Sequence, residues 1–326
     1  DSSTSRGLGD VYKRQVINNR GYISEGTRKK VYAAMEEMHY QPNELARAFS
    51  KQYTNTIGLI VPHISHPFFI KVISNLESSA AEKGFKLLLC NSKEQPEKEQ
   101  DYLDMCISNR VAGIVLCSKY VQTREFRKMN IPVVNLERGG DDDTISVQCD
   151  NYQGGKLAAE HLIECGCKNL LHFGGVAGKD MPADRRADGF SDVCKKAGIP
   201  YRILVSDRLQ YGSMHYEDFI RRALQEFPDV DGIFASSDLI ASQVIQVGAQ
   251  MGKRVPEDIQ LIGFDDVMIS TVTTPQITTI HQPVEEMTEL CVEYIAKSLK
   301  NESVPQKIVL PVRLVQRGTT VLKTEI

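Results

Sequence analysis

Polar and aromatic residues stand just past the ends of several predicted strands, at the edge where open α/β sheets bind their ligands. Phe68 and Phe69 follow the first strand, and Asp150 follows the fifth. Later strands are followed by Arg186, Asp238 and Asp265. Carboxylates and a guanidinium can exchange hydrogen bonds with neighbouring hydroxyl groups, and aromatic faces can cover an apolar CH face. The set therefore predicts a site for a polyhydroxylated, sugar-like ligand.

Each of these residues also has a purely structural interpretation. A carboxylate just after a strand can cap the next helix, and an aromatic side chain can belong to the core. His63 and His66 flank the first loop, where an imidazole is more often solvated than a ligand. Asp265 and Asp266 resemble an acid–base pair, but neighbouring residues leaving a strand point in opposite directions. Only one of the two can therefore face a given cleft.

The sequence contains none of the common nucleotide-binding or hydrolase motifs. The run Gly174–Lys179 departs from a Walker A loop, because Phe173 stands where the first glycine is required and Asp180 follows the lysine. No GxGxxG, G-x-S-x-G or H-E-x-x-H pattern occurs. Cys165-Gly166-Cys167 lacks the second pair that a zinc site needs. We expect no enzymatic activity, no cofactor and no metal.

The elements that position these residues alternate along the chain from Thr56 onward. Strands are predicted at 56–61, 86–91, 113–117, 132–136, 145–149, 169–173, 202–206, 232–236, 260–264 and 278–281. Helices are predicted near 67–83, 95–109, 122–129, 152–165, 183–197, 213–226, 239–251 and 284–299. Four predicted helices end at glycines that fit the left-handed C-cap, namely Gly84, Gly166, Gly198 and Gly252. Such alternation predicts a parallel sheet covered by helices on both faces.

The predicted strands are better divided between two doubly wound halves than placed in one sheet. The fold class is therefore α/β, with two doubly wound parallel-sheet subdomains preceded by a small all-α segment. We assign residues 56–164 and 283–312 to the N-terminal subdomain, and 165–282 and 313–326 to the C-terminal subdomain. The run Lys307–Val315 is expected to cross back between the halves.

Composition and charge are those of a globular protein with an uneven charge distribution. The 326 residues are 41% hydrophobic and 25% charged, as in soluble domains. Residues 1–53 contain nine Lys/Arg and six Asp/Glu, a balance of +3, which leaves −6 of the total of −3 for the remainder. The asymmetry permits a polyanionic partner at the N-terminal end, and a solvated helix face is the alternative.

The compartment is inferred from cysteines and apolar runs. The eight cysteines lie mostly within apolar strands or helices and include no CxxC pair, which favours free thiols in a reducing cytoplasm. No apolar run approaches the roughly 20 residues of a membrane span. Residues 1–15 lack the apolar core of a signal peptide. We expect a cytoplasmic protein without a membrane partner.

A basic helix and a short connector precede the first strand. Val31, Met35 and Met38 fall on one face of a helix predicted over Ser24–Tyr40. In the connector YQPNELARAFS, a proline ends that helix, and Asn43 is a suitable N-cap for a helix over 43–50. Residues 1–15 have no helical apolar period and no initiating Met. They resemble the start of a fragment or a non-native, disordered addition.

A family resemblance emerges from these segments taken in order. They are Ser24–Tyr40, YQPNELARAFS, TIGLIVP, HPFF, GGKLAAEHLIECG, GIFASSDLIA, VPEDIQLIGFDD and TPQITTIHQP. Together they resemble the lactose-repressor (LacI-type) family of bacterial transcription regulators over residues 16 to about 317. The resemblance implies a helix-turn-helix headpiece, whose remnant is residues 16–52, and a hinge helix. A periplasmic-binding-protein-like core would dimerise and bind a small effector, usually a sugar or nucleoside-like metabolite, between its halves.

The resemblance also implies site residues. Effector contacts are expected from Phe68, Phe69, Asp150, Arg186 and Asp265, with Phe234 as a pocket wall. DNA contacts are expected from Asn43, Leu45, Ala46, Arg47 and Phe49 of the hinge and from Arg28 and Lys29 of the preceding helix.

Two departures from the family pattern concern DNA binding. Phe49 stands where the family usually has a leucine that wedges into the minor groove, and phenylalanine is also a wedge residue. The family's first and recognition helices fill about twenty residues before the match to Val16–Asn19. This chain has 15 residues there, and they match neither helix. Operator recognition is therefore expected to be impaired in the chain as given.

We interpret the sequence as a cytoplasmic, homodimeric transcription regulator. We expect it to act as a repressor that senses a sugar-like metabolite. A solute-binding protein without DNA function is the alternative, but it would have no use for the basic helix and hinge. An enzyme on the same fold is a third option, and turnover assays with candidate sugars would detect it.

The first prediction concerns DNA. Phosphate contacts from Arg28, Lys29 and Arg47 would give salt-sensitive, sequence-independent binding, typically with Kd near about 10⁻⁴–10⁻⁶ M. Gel shifts with genomic fragments at physiological salt should show no preferred fragment. Tight binding to one fragment that resists a non-specific competitor would mean that residues 1–15 form a reading element.

Overall fold

The computed structural model describes residues 53–118, 131–139, 144–176 and 181–322, with residues 24–26, 29, 33, 36 and 37. The chain divides into two units, Asp1–Thr54 and Asn55–Ile326. In the first unit, residues 25, 26, 29, 33, 36 and 37 are helical, as predicted for Ser24–Tyr40. The expectations for residues 1–15, the hinge helix 43–50 and the helix 122–129 lie outside the described residues.

The second unit alternates strands and helices. Its strands are β1 (Thr56–Val61), β2 (Lys86–Asn91), β3 (Gly113–Leu116), β4 (Val133–Leu136), β5 (Ile145–Cys149), β6 (Leu170–Val176), β7 (Tyr201–Ser206), β8 (Gly232–Ala235), β9 (Gln260–Asp265), β10 (Thr278–His281), β11 (Lys307–Leu310) and β12 (Arg313–Val315). Its helices are α1 (Pro67–Glu82), α2 (Pro96–Ser108), α3 (Asn151–Glu164), α4 (Arg185–Ala197), α5 (Arg208–Ser213), α6 (Glu217–Glu226), α7 (Asp238–Gln250), α8 (Ile269–Val272) and α9 (Val284–Ser298). A 3₁₀ turn at Pro182–Asp184 precedes α4.

The described strands form two six-stranded sheets, which confirms the predicted fold class. The first sheet has the order β11-β5-β4-β3-β1-β2, and its neighbouring strands are parallel. The second has the order β12-β10-β9-β8-β6-β7 and is parallel except for the antiparallel β12. Because the carboxyl ends of parallel strands share one edge, residues that follow different strands come together there.

Position in the sheet explains the apolar pattern of each strand. β1, β3 and β4 lie inside the first sheet and are almost entirely buried, so their sequences are continuous apolar runs. β2 and β7 are edge strands with several exposed or half-buried residues. The eight cysteines are free and buried, which confirms the sequence-based expectation. No helix in the described ranges is long and apolar enough to cross a bilayer.

The chain passes between the two sheets more than once. Although α3 precedes residue 165, it packs on the second sheet. Gly154 lies against the ring of Phe264, and His161 Nε2 lies 2.9 Å from Thr320 Oγ1. α9 returns to the first sheet, where Ile295 contacts Gly113. β11 then joins the first sheet and β12 the second, so the final run crosses between the halves.

The glycines at helix ends were predicted correctly, whereas the short helices α5 and α8 were not predicted. The four glycines predicted at helix ends, Gly84, Gly166, Gly198 and Gly252, all have positive φ, of +76, +81, +67 and +75°. Gly198 is itself the C-cap of α4, and the other three directly follow the C-cap residue of their helix. The helix predicted at 213–226 begins only at Glu217, as α6, and the separate α5 over Arg208–Ser213 was not predicted. The break lies at Met214, whose φ is 61°, a conformation that few non-glycine residues adopt. The single-turn α8 was not predicted, because four residues carry no periodicity.

Two glycines allow α3 and α4 to approach each other closely. A Cβ atom at Gly155 would collide with the carbonyl oxygen of Arg186, and one at Gly189 with the carbonyl oxygen of Tyr152. Both obstacles are backbone atoms, so no side-chain rotation could relieve the clash. The crossing therefore fixes where the backbone of Arg186 lies.

Substitution at this crossing should destabilise the chain. Gly155→Ala and Gly189→Ala should each lower the free energy of unfolding by about 1–3 kcal/mol, the cost of forcing packed elements apart. Urea unfolding is the measurement. Gly212→Ala is the matched control, because no atom lies within 4 Å of the added Cβ, and helix propensity favours alanine there by about 0.5–1 kcal/mol. Equal stability of Gly155→Ala and the natural chain would show that α3 and α4 can separate freely.

Candidate functional site

A cavity lies where the carboxyl edges of the two sheets face each other. It encloses about 810 Å³ of space outside the atoms, part of it open to solvent. The first sheet's side contributes His66, Phe68, Phe69, Cys117 and Glu137. The second sheet's side contributes Gly174, Gly175, Met181, Ala183, Arg186, Ser206, Tyr211, Tyr216, Ser236, Ser237, Ile240, Asp265 and the connecting Gln282.

Arg186 is the buried cation of this cavity, with 6% of its side chain exposed. Its Nε donates to Asn151 Oδ1 at 2.7 Å, and its Nη1 donates to the carbonyl of Ser236 at 2.6 Å. The guanidinium lies 3.5 Å from the centroid of the Phe264 ring, a cation–π arrangement. A guanidinium has five N–H donors, so donors remain for a ligand.

Glu137 links the first sheet to Arg186 through one intervening side chain. Glu137 follows β4, and its carboxylate accepts hydrogen bonds from the Cys149 amide and from Asn151 Nδ2 at 3.0 Å. The other amide atom of Asn151 accepts from Arg186. The chain of contacts Glu137–Asn151–Arg186 therefore connects the two sides of the cavity and sets the orientation of the guanidinium.

Asp265 is a second buried carboxyl group of the cavity, and its backbone is unusual. Its φ is 107°, a costly conformation for a non-glycine residue that persists only when the surroundings enforce it. Gln282 Nε2 donates to its carboxylate. Burial raises the pKa of Asp265 to about 7, although the Arg186 charge and the Gln282 hydrogen bond act in the opposite direction.

Gln282 has one satisfied and one unsatisfied end. It is 1% exposed, and its Oε1 is buried without a hydrogen-bond partner in the described part of the chain. A buried acceptor without a donor is costly, at about 1–3 kcal/mol. A ligand hydroxyl that donated to this oxygen while facing Asp265 would remove that cost.

Aromatic rings form the walls of the cavity. Phe68 and Phe69 meet edge to face, with centroids 5.2 Å apart. Tyr211 of α5 reaches across to the first half, where its ring lies 5.5 Å from that of His63 and 6.4 Å from that of His66. These faces suit the CH surface of a sugar ring.

The expectation of solvated loop imidazoles was wrong for His63 and His66. Both are buried, at 9% and 8% exposure. His66 Nδ1 accepts from the Phe68 amide and so caps α1. Burial lowers the pKa of His66 to about 4, and the charges of His63 and Arg186 act in the same direction.

Four of the six effector residues expected from sequence surround the cavity, and two do not. Phe68, Phe69, Arg186 and Asp265 line it. Asp150 is instead the N-cap of α3, where its carboxylate accepts from the Gln153 amide at 2.9 Å. Phe234 lies behind the wall, fully buried and stacked on His172 with centroids 4.5 Å apart. The structure thus places its ring in the core beneath Phe264 rather than at the surface of the pocket.

Asp238 is the remaining carboxylate predicted just after a strand. It is bound by protein groups and does not line the cavity. It accepts from the Val267 amide at 2.9 Å and from Thr279 Oγ1 at 2.6 Å. Burial raises its pKa well above the usual range, and the neighbouring charge of Asp265 adds to this. Its two hydrogen bonds link the segment that follows β9 to strand β10.

Several lining residues escaped the sequence-based prediction. Glu137 directly follows a predicted strand, so the positional rule that identified Asp265 would also have found it. Gln282 directly follows the strand predicted at 278–281, so the same rule would have found it too. Tyr211 and Tyr216 lie on a short helix and the connection after it, whose approach to the cavity depends on tertiary packing, and they carry no local signal.

Only one of the residues predicted to contact DNA lies in the part of the chain that the structure describes, and the metal search is limited to the same part. Lys29 is helical and exposed. The other predicted DNA contacts, Asn43, Leu45, Ala46, Arg47, Phe49 and Arg28, lie outside the described residues. Within the described ranges, no group of three or more His, Cys, Asp or Glu residues is placed to hold a metal ion.

Comparisons with known proteins agree along the whole chain. Residues 15–43 match the family described as "Bacterial regulatory proteins, lacI family", and residues 159–320 match the "Periplasmic binding protein-like domain". The ribose operon repressor of Halalkalibacterium halodurans is 32% identical over 94% of this chain and 92% of its own length. The sucrose operon repressor of Pediococcus pentosaceus is 32% identical over 98% of each chain.

A solved structure shows the same likeness. It is a periplasmic binding protein/LacI transcriptional regulator from Alkaliphilus metalliredigens QYMF, complexed with D-xylulofuranose. It is 32% identical, has a TM-score of 0.74, and covers 82% of this chain and 100% of its own.

The raised pKa of Asp265 makes stability depend on pH. Because the folded chain binds this proton more tightly than an unfolded carboxyl of pKa about 3.9 does, the stabilising contribution is complete below pH 4 and is lost as pH rises through about 7. Asp265→Asn should therefore reduce the fall in the free energy of unfolding between about pH 4.5 and 7.5. Asp238 titrates in the same direction, so the fall should shrink without vanishing.

Urea unfolding at the two pH values measures this. The control is Asp229→Asn, which changes an exposed carboxylate and should keep the natural slope. A natural slope in Asp265→Asn as well would rule out Asp265 as the group responsible.

Proposed function

Because this chain belongs to the lacI family of bacterial regulatory proteins, we propose that it is an effector-responsive transcription regulator, acting as a repressor. It binds operator DNA as a homodimer in the cytoplasm and senses a sugar or sugar-like metabolite in the cavity between its two halves. The observation that carries the effector assignment is that Arg186 and Asp265 both line one aromatic-walled cavity.

The lining suits a neutral polyol. Arg186 can donate to a hydroxyl oxygen, and Asp265 and Gln282 Oε1 can accept hydroxyl hydrogens. Adjacent hydroxyl groups on one sugar ring match such alternating donors and acceptors. Phe68 and Tyr211 supply faces for the CH groups. The relatives and the solved structure named for ribose, sucrose and D-xylulofuranose support this ligand class.

A ligand in this position would contact both halves of the molecule at once. The halves already contact each other through a hydrogen bond. Lys71 Nζ of α1 donates to the carbonyl of Asp266, which follows β9, at a distance of 2.9 Å. A sugar bound to Arg186 and Glu137 together would add contacts that exist only when the halves are close. Its binding would shift the population toward that arrangement, and the hinge helix 43–50 would transmit the shift to DNA.

The same cavity would serve a solute-binding protein, and the N-terminal segment distinguishes the two functions. Residues 15–43 match a DNA-binding regulator family, which a carrier of solutes does not require. We therefore assign DNA contacts to Asn43, Leu45, Ala46, Arg47 and Phe49, with Arg28 and Lys29 on the preceding helix.

An apolar surface fits the proposed homodimer. Ile70 on α1, Met268 and Val272 are 54%, 79% and 67% exposed. The Lys71–Asp266 hydrogen bond brings the start of α1 close to the residues that lead into α8. Exposed apolar clusters of this kind mark protein interfaces, and a second copy of the chain would cover them symmetrically.

Substitution of the two charged residues tests the effector assignment. Asp265→Asn and Arg186→Ala should each weaken binding of a responsive sugar by about 1.5–3 kcal/mol, the range for a charge-assisted hydrogen bond. Calorimetry against ribose, sucrose and D-xylulose is the measurement. The matched controls are Asp229→Asn and Arg185→Ala, the second of which removes an exposed neighbour whose partner is Asp188. Natural affinity in both cavity variants would show that neither residue contacts the sugar.

The dimer is tested separately. Met268→Asp should shift the chain from dimer to monomer in sedimentation velocity, because it places a charge in the apolar surface. Leu209→Asp changes an equally exposed leucine, at 83%, on α5 and should leave the dimer intact. A Met268→Asp chain that still sediments as a dimer would place the interface elsewhere.

A further inference from the structure

A cluster of charged side chains surrounds Asp266, the residue that follows the cavity residue Asp265. Arg317 Nη2 donates to Asp266 Oδ1 at 2.6 Å, and His281 Nδ1 lies 2.8 Å from Asp266 Oδ2. The described lining of the effector cavity includes none of these three residues. Asp266 is nevertheless bonded in sequence to a residue that lines it, so whatever holds Asp266 also bears on the cavity.

Two neighbouring side-chain pairs join residues 265–266 to residues 281–282. Gln282 donates to the Asp265 carboxylate within the cavity lining, and His281 is bonded to the Asp266 carboxylate outside it. β9 and β10 are parallel neighbours here, with Asp265 and His281 in register. A shift of Asp266 relative to His281 would therefore displace the Asp265–Gln282 pair, because the two pairs are one residue apart on both segments.

The turn formed by Asp265 and Asp266 has a costly backbone. Their φ angles are 107° and 52°, and neither residue is a glycine. Such conformations persist only where the surroundings enforce them. Asp266 supplies that enforcement through both carboxylate oxygens. Its partner Arg317 is itself held in place, because Nη1 donates to the Ile277 carbonyl at 2.9 Å and to Ser270 Oγ at 3.2 Å.

The pair formed by Asp266 and Arg317 is largely shielded from water, with side-chain exposures of 15% and 16%. Burial alone would raise the pKa of Asp266, but the hydrogen bonds from Arg317 and His281 lower that pKa below its usual value. The carboxylate is therefore charged at neutral pH. Charge-assisted hydrogen bonds are stronger than neutral ones, so these two bonds hold the turn firmly.

The backbone of Asp266 reaches the first half of the molecule. Its carbonyl accepts the hydrogen bond from Lys71 Nζ on α1 at 2.9 Å. Phe68 and Phe69, three and two positions before that lysine, line the cavity. The direction of the Asp266 carbonyl depends on the backbone conformation of the turn, so the bonds to the carboxylate also determine whether Lys71 can reach it.

We propose that Asp266 is a positioning residue that joins the sugar site to the contact between the two halves. Arg317 and His281 hold its carboxylate, which keeps the neighbouring Asp265 at the cavity. The same bonds present its carbonyl to Lys71 of the first half. This inference rests on the proposed function, since it assumes a sugar in the cavity. It adds a role for residues that do not touch that sugar.

Calorimetry with ribose, sucrose and D-xylulose tests the inference, followed with whichever of the three binds the natural chain most tightly. Asp266→Gly introduces a residue that tolerates positive φ and removes both carboxylate bonds. It should weaken binding of that sugar by about 3- to 30-fold, the range for residues that act through others. Asp266→Asn keeps the shape of the side chain and loses its charge, and it should weaken binding by a smaller factor.

Substitution of Lys71 tests the other end of the connection. Lys71→Met should weaken binding of the same sugar, whereas Lys71→Arg keeps a cationic donor and should retain natural affinity. Both Lys71→Met and Asp266→Gly break one connection. The double variant should therefore bind no more weakly than Asp266→Gly alone, whereas two independent structural effects would multiply.

Asp258→Gly is the matched control. It removes another aspartate–arginine pair of the second half, in which Arg254 Nε donates to Asp258 at 3.0 Å. Neither residue belongs to the described lining of the cavity. Urea unfolding of every variant records the stability that is lost. Asp258→Gly should lose stability and keep sugar affinity, which separates the loss of an ion pair from the loss of positioning.

The outcomes separate this inference from the function beneath it. If Asp266→Gly binds the sugar as tightly as the natural chain, or if its effect and that of Lys71→Met multiply in the double variant, the positioning role is overturned and a sugar effector stands. If none of the three sugars binds the natural chain, both this inference and the proposed sugar-sensing function are overturned.

Discussion

The buried charge of Arg186 is the constraint on which the rest of the site depends. A guanidinium removed from water must be compensated by hydrogen bonds and neighbouring charge. Here the Ser236 carbonyl, the Asn151 amide and the face of Phe264 hold it. Asp265 shares its electrostatic field, as the effect of Arg186 on the pKa of that carboxyl shows. The cation is thus fixed in place while part of its donor capacity remains for a ligand.

Holding that charge requires an unusually close helix crossing. Arg186 lies at the start of α4, and its carbonyl contacts α3 at Gly155, where any side chain would collide. Asn151 at the start of α3 then reaches both Arg186 and Glu137. Two glycines outside the cavity lining, Gly155 and Gly189, therefore help to set the geometry of polar groups that come from both sheets. Under the proposed function, the same arrangement would let one ligand contact both halves at once.

Strain and unsatisfied groups concentrate at the same place. Asp265 has a positive φ and a raised pKa, and Gln282 retains an oxygen that has no partner in the part of the chain that the structure describes. Asp238 adds a second buried carboxyl directly behind. Each feature costs stability, and a ligand hydroxyl that bonded to Gln282 or Asp265 would offset part of that cost. Such features are expected where binding rather than stability determines the residue.

Much of the fold was visible in the sequence because its signals are local. Continuous apolar runs marked the inner strands, and glycines at helix ends marked the C-caps. The rule that ligands bind beyond the carboxyl ends of parallel strands identified Phe68, Arg186 and Asp265 correctly as cavity residues.

The same rule could not separate caps from contacts. Asp150 occupies an equivalent sequence position but turns its carboxylate back onto the α3 amides. Phe234 lies in the core beneath the cavity surface, because its ring packs against His172 and Phe264. Tyr211 reaches the cavity only through the packing of distant segments. The depth of a side chain and the direction in which it turns are set by tertiary contacts, and the periodicity of the sequence does not encode these contacts.

A crystal structure of the chain with a bound sugar tests the central claim most directly. The account predicts ring hydroxyl groups within hydrogen-bond distance of both the Arg186 guanidinium and the Asp265 carboxylate, with the ring against Phe68 or Tyr211. A sugar bound elsewhere, with Arg186 and Asp265 still occupied only by their present protein partners, would contradict it.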